Sequence, residues 1–310
     1  MATFYIEPER RTLHGTFSRD LPPALTIDSG DTVVFRTLDA GWNLEPVTAI
    51  GAETRKFEPR DKEKDKGHAL CGPIEIRGAE PGMTLEVHIG EVRPGPYGFT
   101  FAGGWSTEIN DRLGVSTQGA LLTWTLDADA LEGRDQFGHT VTLRPFMGVM
   151  GMPPNEPGLH PTAPPRYTGG NIDCKELVTG TTLYLPVAVR GGLFSTGDGH
   201  GAQGDGESAT TAIECPMERV ALTFVLNEEM QISTPRARTS EGWLTLGFDR
   251  DLNEATAIAL EAMLELMMEQ HGVERLEALA LASAVVDLRV TQIVNGVKGV
   301  HAVLPHGAIR

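Results

Sequence analysis

Two dense blocks of chemistry-bearing residues lie between positions 167 and 207. The first is Gly169-Gly170-Asn171-Ile172-Asp173 and the second is Gly197-Asp198-Gly199-His200-Gly201-Ala202-Gln203-Gly204-Asp205-Gly206-Glu207. In the second block Asp198, His200, Asp205 and Glu207 are interleaved with glycine. Imidazole nitrogens and carboxylate oxygens suit zinc, and a catalytic zinc keeps one position open for water. Such an ion lowers the pKa of its water from about 16 to about 7. The pattern predicts a glycine loop that folds these side chains inward without helical spacing. The competing reading is a tight turn whose aspartates hydrogen-bond their own backbone. Asn171 and Asp173, two apart, share one face if their segment is extended. Asp173 then offers a ligand and Asn171 a donor to a carbonyl oxygen; the competing reading is an Asx turn. His68, shortly before Gly72-Pro73, is a third candidate that gains force only beside the other blocks. Cys71 and Cys174 read as ordinary buried thiols rather than nucleophiles. The chain has no Gly-x-Ser-x-Gly elbow, phosphate-binding loop or dinucleotide fingerprint.

The elements that must hold these residues are mostly strands. Glycine (36) and proline (20) punctuate short alternating runs at 32–37, 84–89, 182–189 and 220–226, the pattern of a β-sandwich or barrel. The proline-rich stretch 152–166 cannot be regular structure, because proline lacks a donor and fixes φ. It reads as a linker or ordered loop leading into the Gly169 block. The mixed-charge run 60–66 has no apolar side and reads as a solvated loop. Helical spacing is clear only late: Ala255, Ile258, Ala259, Ala262, Met263, Leu266 and Met267 predict a helix capped by Asn253 and stopped by Gly272. A shorter helix over about 273–283 follows, then a strand at 286–294 and an Asn295-Gly296 hairpin turn before 301–304. The expected fold is mainly β, sandwich- or barrel-like, with a late helical hairpin, α+β overall. It forms one domain over 1–310, with two β subdomains joined near 150–168 as the variant. The methionine-rich helix face is assigned to core.

Composition narrows the function classes. A formal charge of −16 over 310 residues makes nucleic acid and anionic membranes poor partners and favours a neutral or cationic small molecule. No window approaches the roughly 18 apolar residues of a membrane span, and the start shows no apolar segment after a basic one. Three widely spaced cysteines without a C-x-x-C favour free thiols and a reducing cytoplasm. The late helices carry more apolar positions than one face requires, which points to a homo-oligomer.

With these motifs in place, the chain resembles the acetamidase/formamidase family along nearly its whole length. The resemblance rests on His68…Gly72-Pro73, Gly78-Ala79-Glu80-Pro81-Gly82, the Gly169–Asp173 block, Leu183-Tyr184-Leu185-Pro186-Val187 and the Gly197–Glu207 block. It continues through Ala212-Ile213-Glu214 and 287–295. Cys71 stands where threonine is more familiar, Gly201 where alanine is expected and Met83 where aspartate is common; none of these removes a proposed ligand. The resemblance implies a mainly β fold and hydrolysis of a short aliphatic amide, formamide or acetamide, to carboxylate and ammonia.

The combined reading is a metal-dependent amidase. A divalent metal, zinc by its ligand types, is held by some of His68, Asp173, Asp198 and His200, with Glu214 in reserve. Glu207 is the general base and later proton donor, and Asn171 and Gln203 donate to the developing oxyanion. A urea- or guanidine-like compound or a longer amide is the alternative substrate. A non-catalytic small-amide binding protein on the same fold is the alternative class.

Overall fold

Runs in which apolar residues alternate with polar ones become strands where the pattern places them. Thr32–Thr37 is a strand over the whole expected run, and the runs at 84–89 and 220–226 lie inside the longer strands Thr84–Pro94 and Met217–Asn227. The computed structural model describes all residues, 1–310. These strands belong to a nine-stranded sheet. Its order is Thr3–Ile6, Thr32–Thr37, Met217–Asn227, Thr84–Pro94, Thr182–Pro186, Arg236–Arg238, Gly242–Asp249, Lys298–Pro305 and Asp287–Gln292. The first pair is parallel and the rest are antiparallel.

A six-stranded sheet runs Gly169–Asn171, Phe146–Gly151, Phe194–His200, Leu70–Ile76 and Leu13–His14, with Leu25–Ile27 added in parallel to Leu70–Ile76. The two sheets face each other. Phe194 of one meets Phe224 of the other with ring centroids 4.9 Å apart. One buried apolar cluster draws residues from Ile6 to Val303 and takes side chains from both sheets. The third sheet, of four strands, ends in Tyr97–Gly103, which lies beside the functional region.

Three helices complete the fold: α1 (Glu108–Leu113), α2 (Leu252–His271) and α3 (Arg275–Val285). The late hairpin is the expected α2–α3 pair, and the methionine face is core: Met263 and Met267 are fully buried. The cap differs. Asp251, not Asn253, accepts from a first-turn amide, that of Asn253 at 2.8 Å, because its side chain precedes the helix and faces the unpaired N–H groups. Gly272 ends α2 in the left-handed conformation, as expected. α2 lies so close to the sheet that a Cβ on Gly247 would fall 2.1 Å from the Ala255 carbonyl. α1 was not expected; six residues are too few to show periodicity, yet Thr107 and Gly114 cap it fully. The charge run 60–66 is irregular, but it is not wholly solvated. Asp65 is buried and takes an ion pair from Arg10 at 2.6 Å.

Candidate active site

The site begins with a strand that sequence reasoning read as loop. Gly197-Asp198-Gly199-His200 is the end of Phe194–His200, hydrogen-bonded between Phe146–Gly151 and Leu70–Ile76 and buried at every position. Its glycines are there for close approach: a Cβ on Gly197 would lie 2.3 Å from the Ala69 carbonyl, and one on Gly199 2.6 Å from Met217. Asp198 and His200, two apart, therefore point the same way from a fixed backbone. Asp198 sits at φ 60°, a left-handed conformation that costs energy outside glycine. Asp173 (φ 51°) and Glu207 (φ 45°) share this strain. Three of the acidic groups are thus aimed by backbone that propensity alone would not select.

Around His200 the structure gathers two sets of donors: Asp198, His200 and Glu214, and Asp173, His200 and Glu207. His200 Nε2 lies 3.3 Å from Glu214 Oε1 and 3.5 Å from Asp198 Oδ1. The ring is fully buried, edge-on to Phe146 with centroids 5.0 Å apart. Glu214, held in reserve by the sequence reading, stands in the centre of the cluster. Asp205 does not belong to it; its carboxylate pairs with Lys175 at 2.8 Å.

His68 is in neither donor set, but it stands with Asp198 on the wall of the adjoining cavity. Its Nδ1 is 2.8 Å from Thr162 Oγ1, and Thr162 comes from the proline-rich stretch. Ala163, next in that stretch, accepts from Asn171 Nδ2 at 3.1 Å. The segment is therefore an ordered loop that holds two candidate residues.

The expected oxyanion donors each spend one amide hydrogen within the protein. Asn171 Nδ2 is engaged by Ala163, and Gln203 Nε2 donates to the Asp173 carbonyl at 2.7 Å. The unpartnered buried atoms of both side chains are the carbonyl oxygens, which are acceptors. Gln203 positions Asp173 and does not line the cavity. Two contributors escaped the sequence reading. Asn295 Nδ2 donates to Asp173 Oδ2 at 2.6 Å, whereas Asn295-Gly296 reads simply as a turn. Gly148 leaves the gap at the centre: a Cβ there would lie 2.7 Å from Asp198 Oδ2, 2.8 Å from Asp173 Oδ1 and 2.8 Å from His200 Cε1. A glycine in a buried strand gives no chemical signal. Asn295 could have been found only because it ends the 287–295 motif.

Four carboxyl groups and one imidazole share this buried space with no lysine or arginine among them. Burial pushes the Asp173 carboxyl up to about 7, opposed by His200 and reinforced by Asp198. It pushes Glu214 up to about 8, again opposed by His200. Glu207 is driven well above the usual glutamate range by burial and then by the Asp173 charge. Burial alone would lower His200, but Glu214 and Asp198 outweigh it and hold the imidazolium. Burial would raise Asp198, but His68 and His200 outweigh it and keep it ionised. Clustered acids without a cation stay neutral by keeping protons. A divalent cation would replace those protons.

The donor set fits such an ion. His200 has no hydrogen-bond partner at either ring nitrogen, and Asp173 Oδ1, Glu207 Oε2 and Glu214 Oε2 are likewise buried without partners. Unsatisfied buried polar atoms are rare and costly. Here they gather around His200, and Asp173, Asp198 and the His200 ring crowd so closely on Gly148 that any side chain there would intrude.

All three thiols are buried, and burial raises Cys71 to about 12 and Cys174 and Cys215 well above the ordinary thiol range. Burial thus disfavours the reactive thiolate at each of them.

A mainly β sandwich with a buried acid–imidazole centre opening on a cavity defines the class. The chain belongs to the acetamidase/formamidase family: the family model matches residues 5–160 and 156–240. It is 26% identical over 253 residues to the acetamidase of Mycolicibacterium smegmatis, covering 63% of this chain and 61% of that one. It is 28% identical over 246 residues to the formamidase of Methylophilus methylotrophus, covering 63% and 59%. The chain thus spans about 60% of the length of the curated relatives it matches. The crystal structure of acetamidase from Yersinia enterocolitica superposes with a TM-score of 0.85 at 27% identity, covering 99% of this chain and 93% of that one. No helix is long and apolar enough to cross a membrane.

Proposed function

We propose that the 310 residues act as one amidase domain that hydrolyses the C–N bond of a small carboxamide, of the formamide or acetamide type, to carboxylate and ammonia. The observation that carries this reading is the gathering around His200 of buried polar atoms without partners, from Asp173, His200, Glu207 and Glu214. Family membership, and the names acetamidase and formamidase borne by its relatives, support the amide as substrate. Asp173, Asp198, His200 and Glu214 would hold a divalent metal, zinc by donor type, with His68 presented by Thr162 as a further ligand. When bound, the ion supplies Lewis-acid polarisation of the carbonyl and acidifies a water molecule.

The chain's own residues do the rest. Glu207 lines the cavity and is buried, and burial with the Asp173 charge raises its proton affinity, which suits a group that accepts and returns a proton. It takes the proton of the attacking water and returns it to the leaving nitrogen. Asn171 also lines the cavity, and its side-chain oxygen, left without a partner, accepts from the substrate NH2, which orients the carbonyl toward the acidic cluster. Asn295, which lines the cavity, uses one Nδ2 hydrogen on Asp173 and keeps a second for the developing oxyanion, a role that Asn171, with its own second Nδ2 hydrogen, can share. Metal analysis of the purified protein, with an ammonia-release assay on formamide, acetamide, propionamide and urea, tests the scheme. Metal-free protein with full activity would remove the ion from it.

Two further readings belong to the same proposal. Three buried free thiols fit a reducing cytoplasm. Leu276, 83% exposed on α3, together with exposed Leu279 and Leu288, supports a homo-oligomer through the late hairpin. Light scattering that gives a monomer mass would end that second reading.

A further inference from the structure

The cavity that opens on the cluster is far larger than acetamide. Its volume is about 650 Å³, while four heavy atoms occupy roughly the space of three waters, about 90 Å³. Pockets of a few hundred Å³ and upward ordinarily take ligands of drug size. Asn171, Asp198, Glu207 and Glu214 line its reactive end. Phe99 and Phe101 line it as well, two apart on the strand Tyr97–Gly103 and therefore on the same face. Their rings meet edge to face at 5.3 Å.

This aromatic wall is bolted to the reactive end. The Phe99 amide donates to the Glu214 carbonyl at 3.0 Å and the Glu214 amide to the Phe99 carbonyl at 2.9 Å. Phe101 N donates to Thr211 Oγ1 at 2.8 Å, and Thr100 Oγ1 to the Ala212 carbonyl at 2.6 Å. A carbonyl engaged at the cluster thus has its acyl substituent directed along a fixed aromatic surface. Away from the cluster the acidic and basic lining residues are one of each sign, Glu53 and Lys56.

We propose that the site extends beyond the formamide or acetamide type to primary amides whose acyl group is aromatic or comparably bulky and apolar, with Phe99 and Phe101 forming the acyl-side subsite. The inference rests on the amidase reading above. The reaction is R–CO–NH2 + H2O → R–COO⁻ + NH4⁺: water oxygen bonds to the carbonyl carbon, the C–N bond breaks, and both water protons leave on nitrogen. Binding energy from a remote ring can serve catalysis as well as affinity, so the preference is read in kcat/KM.

The test is steady-state ammonia release from formamide, acetamide, benzamide and phenylacetamide by wild type and Phe101→Ala. The wild type should favour an aromatic amide over acetamide by about tenfold or more in kcat/KM. Phe101→Ala should shrink that ratio about tenfold; because the ratio is internal to each preparation, it does not depend on the folded fraction. A wild type that prefers acetamide, or a ratio unmoved by Phe101→Ala, overturns the subsite and leaves the amidase reading standing. No ammonia from any of the four amides overturns both.

Discussion

At the scale of single residues, the site depends on one side chain that is missing and on one that reads as a turn. Gly148 keeps open the space shared by Asp173, Asp198 and His200. Gly148→Ala should fold, lose bound metal and lose about 100-fold or more in kcat/KM, as metal analysis and ammonia release would show; retention of both would place the reaction centre elsewhere. Asn295→Ala removes the hydrogen bond that orients Asp173 and the proposed oxyanion donor. It should lower kcat by about 100-fold while KM moves far less, the split expected for a contact made mainly in the transition state. The sequence made the acids and His200 legible because such groups are conspicuous among glycines. Gly148 was illegible because its contribution is an absence. Asn295 was masked by the hairpin signal of Asn-Gly, a reading that describes its backbone and says nothing of its side chain.

At the scale of elements, the strands and the late helical hairpin followed from periodicity, whereas the Gly197–His200 strand did not. Glycine, aspartate and histidine are poor strand formers, and the close approach of Ala69 and Met217 that demands glycine there is a tertiary fact. The same strand is tied down by His14, whose Nδ1 donates to the Thr16 carbonyl at 2.7 Å and whose Nε2 accepts from Ser195 at 2.9 Å. Burial lowers the His14 pKa to about 4, from 6.5 in the unfolded chain. Between those values the unfolded chain binds the extra proton, so this contribution is intact above about pH 6.5 and is lost as pH falls through about 4. Its full size is on the order of 3 kcal/mol, at about 1.4 kcal/mol per pKa unit. Denaturant titrations of wild type and His14→Gln from pH 4 to 8 check this. The wild type should lose stability across the window more steeply than the variant; parallel curves would show that His14 is not buried neutral.

At the scale of the whole molecule, family membership and fold were legible because motifs spread over most of the chain all point one way. Which acids gather around His200 was not, since Glu214 and Asp173 meet only when the six-stranded sheet and the Phe99 strand are assembled. That assembly concentrates four carboxyls without a lysine or arginine, so the folded protein should be stabilised by the ion it is built to hold. At a hundredfold excess of metal over Kd the gain is about 2.7 kcal/mol, a shift of about 4 °C in Tm for a chain of this size. Thermal melts before and after chelation, then with zinc restored, should show that loss and its recovery; an unchanged Tm would mean that the cluster is satisfied by protons alone.

The central claim is that Glu207 moves the proton in amide hydrolysis at this centre. The most direct measurement is ammonia release from formamide, acetamide and phenylacetamide by wild type and Glu207→Gln, each with its metal content determined. Glu207→Gln should keep its fold and most of its metal, while kcat/KM falls about 100-fold or more on whichever amide the wild type turns over. Full activity in the variant would contradict the account.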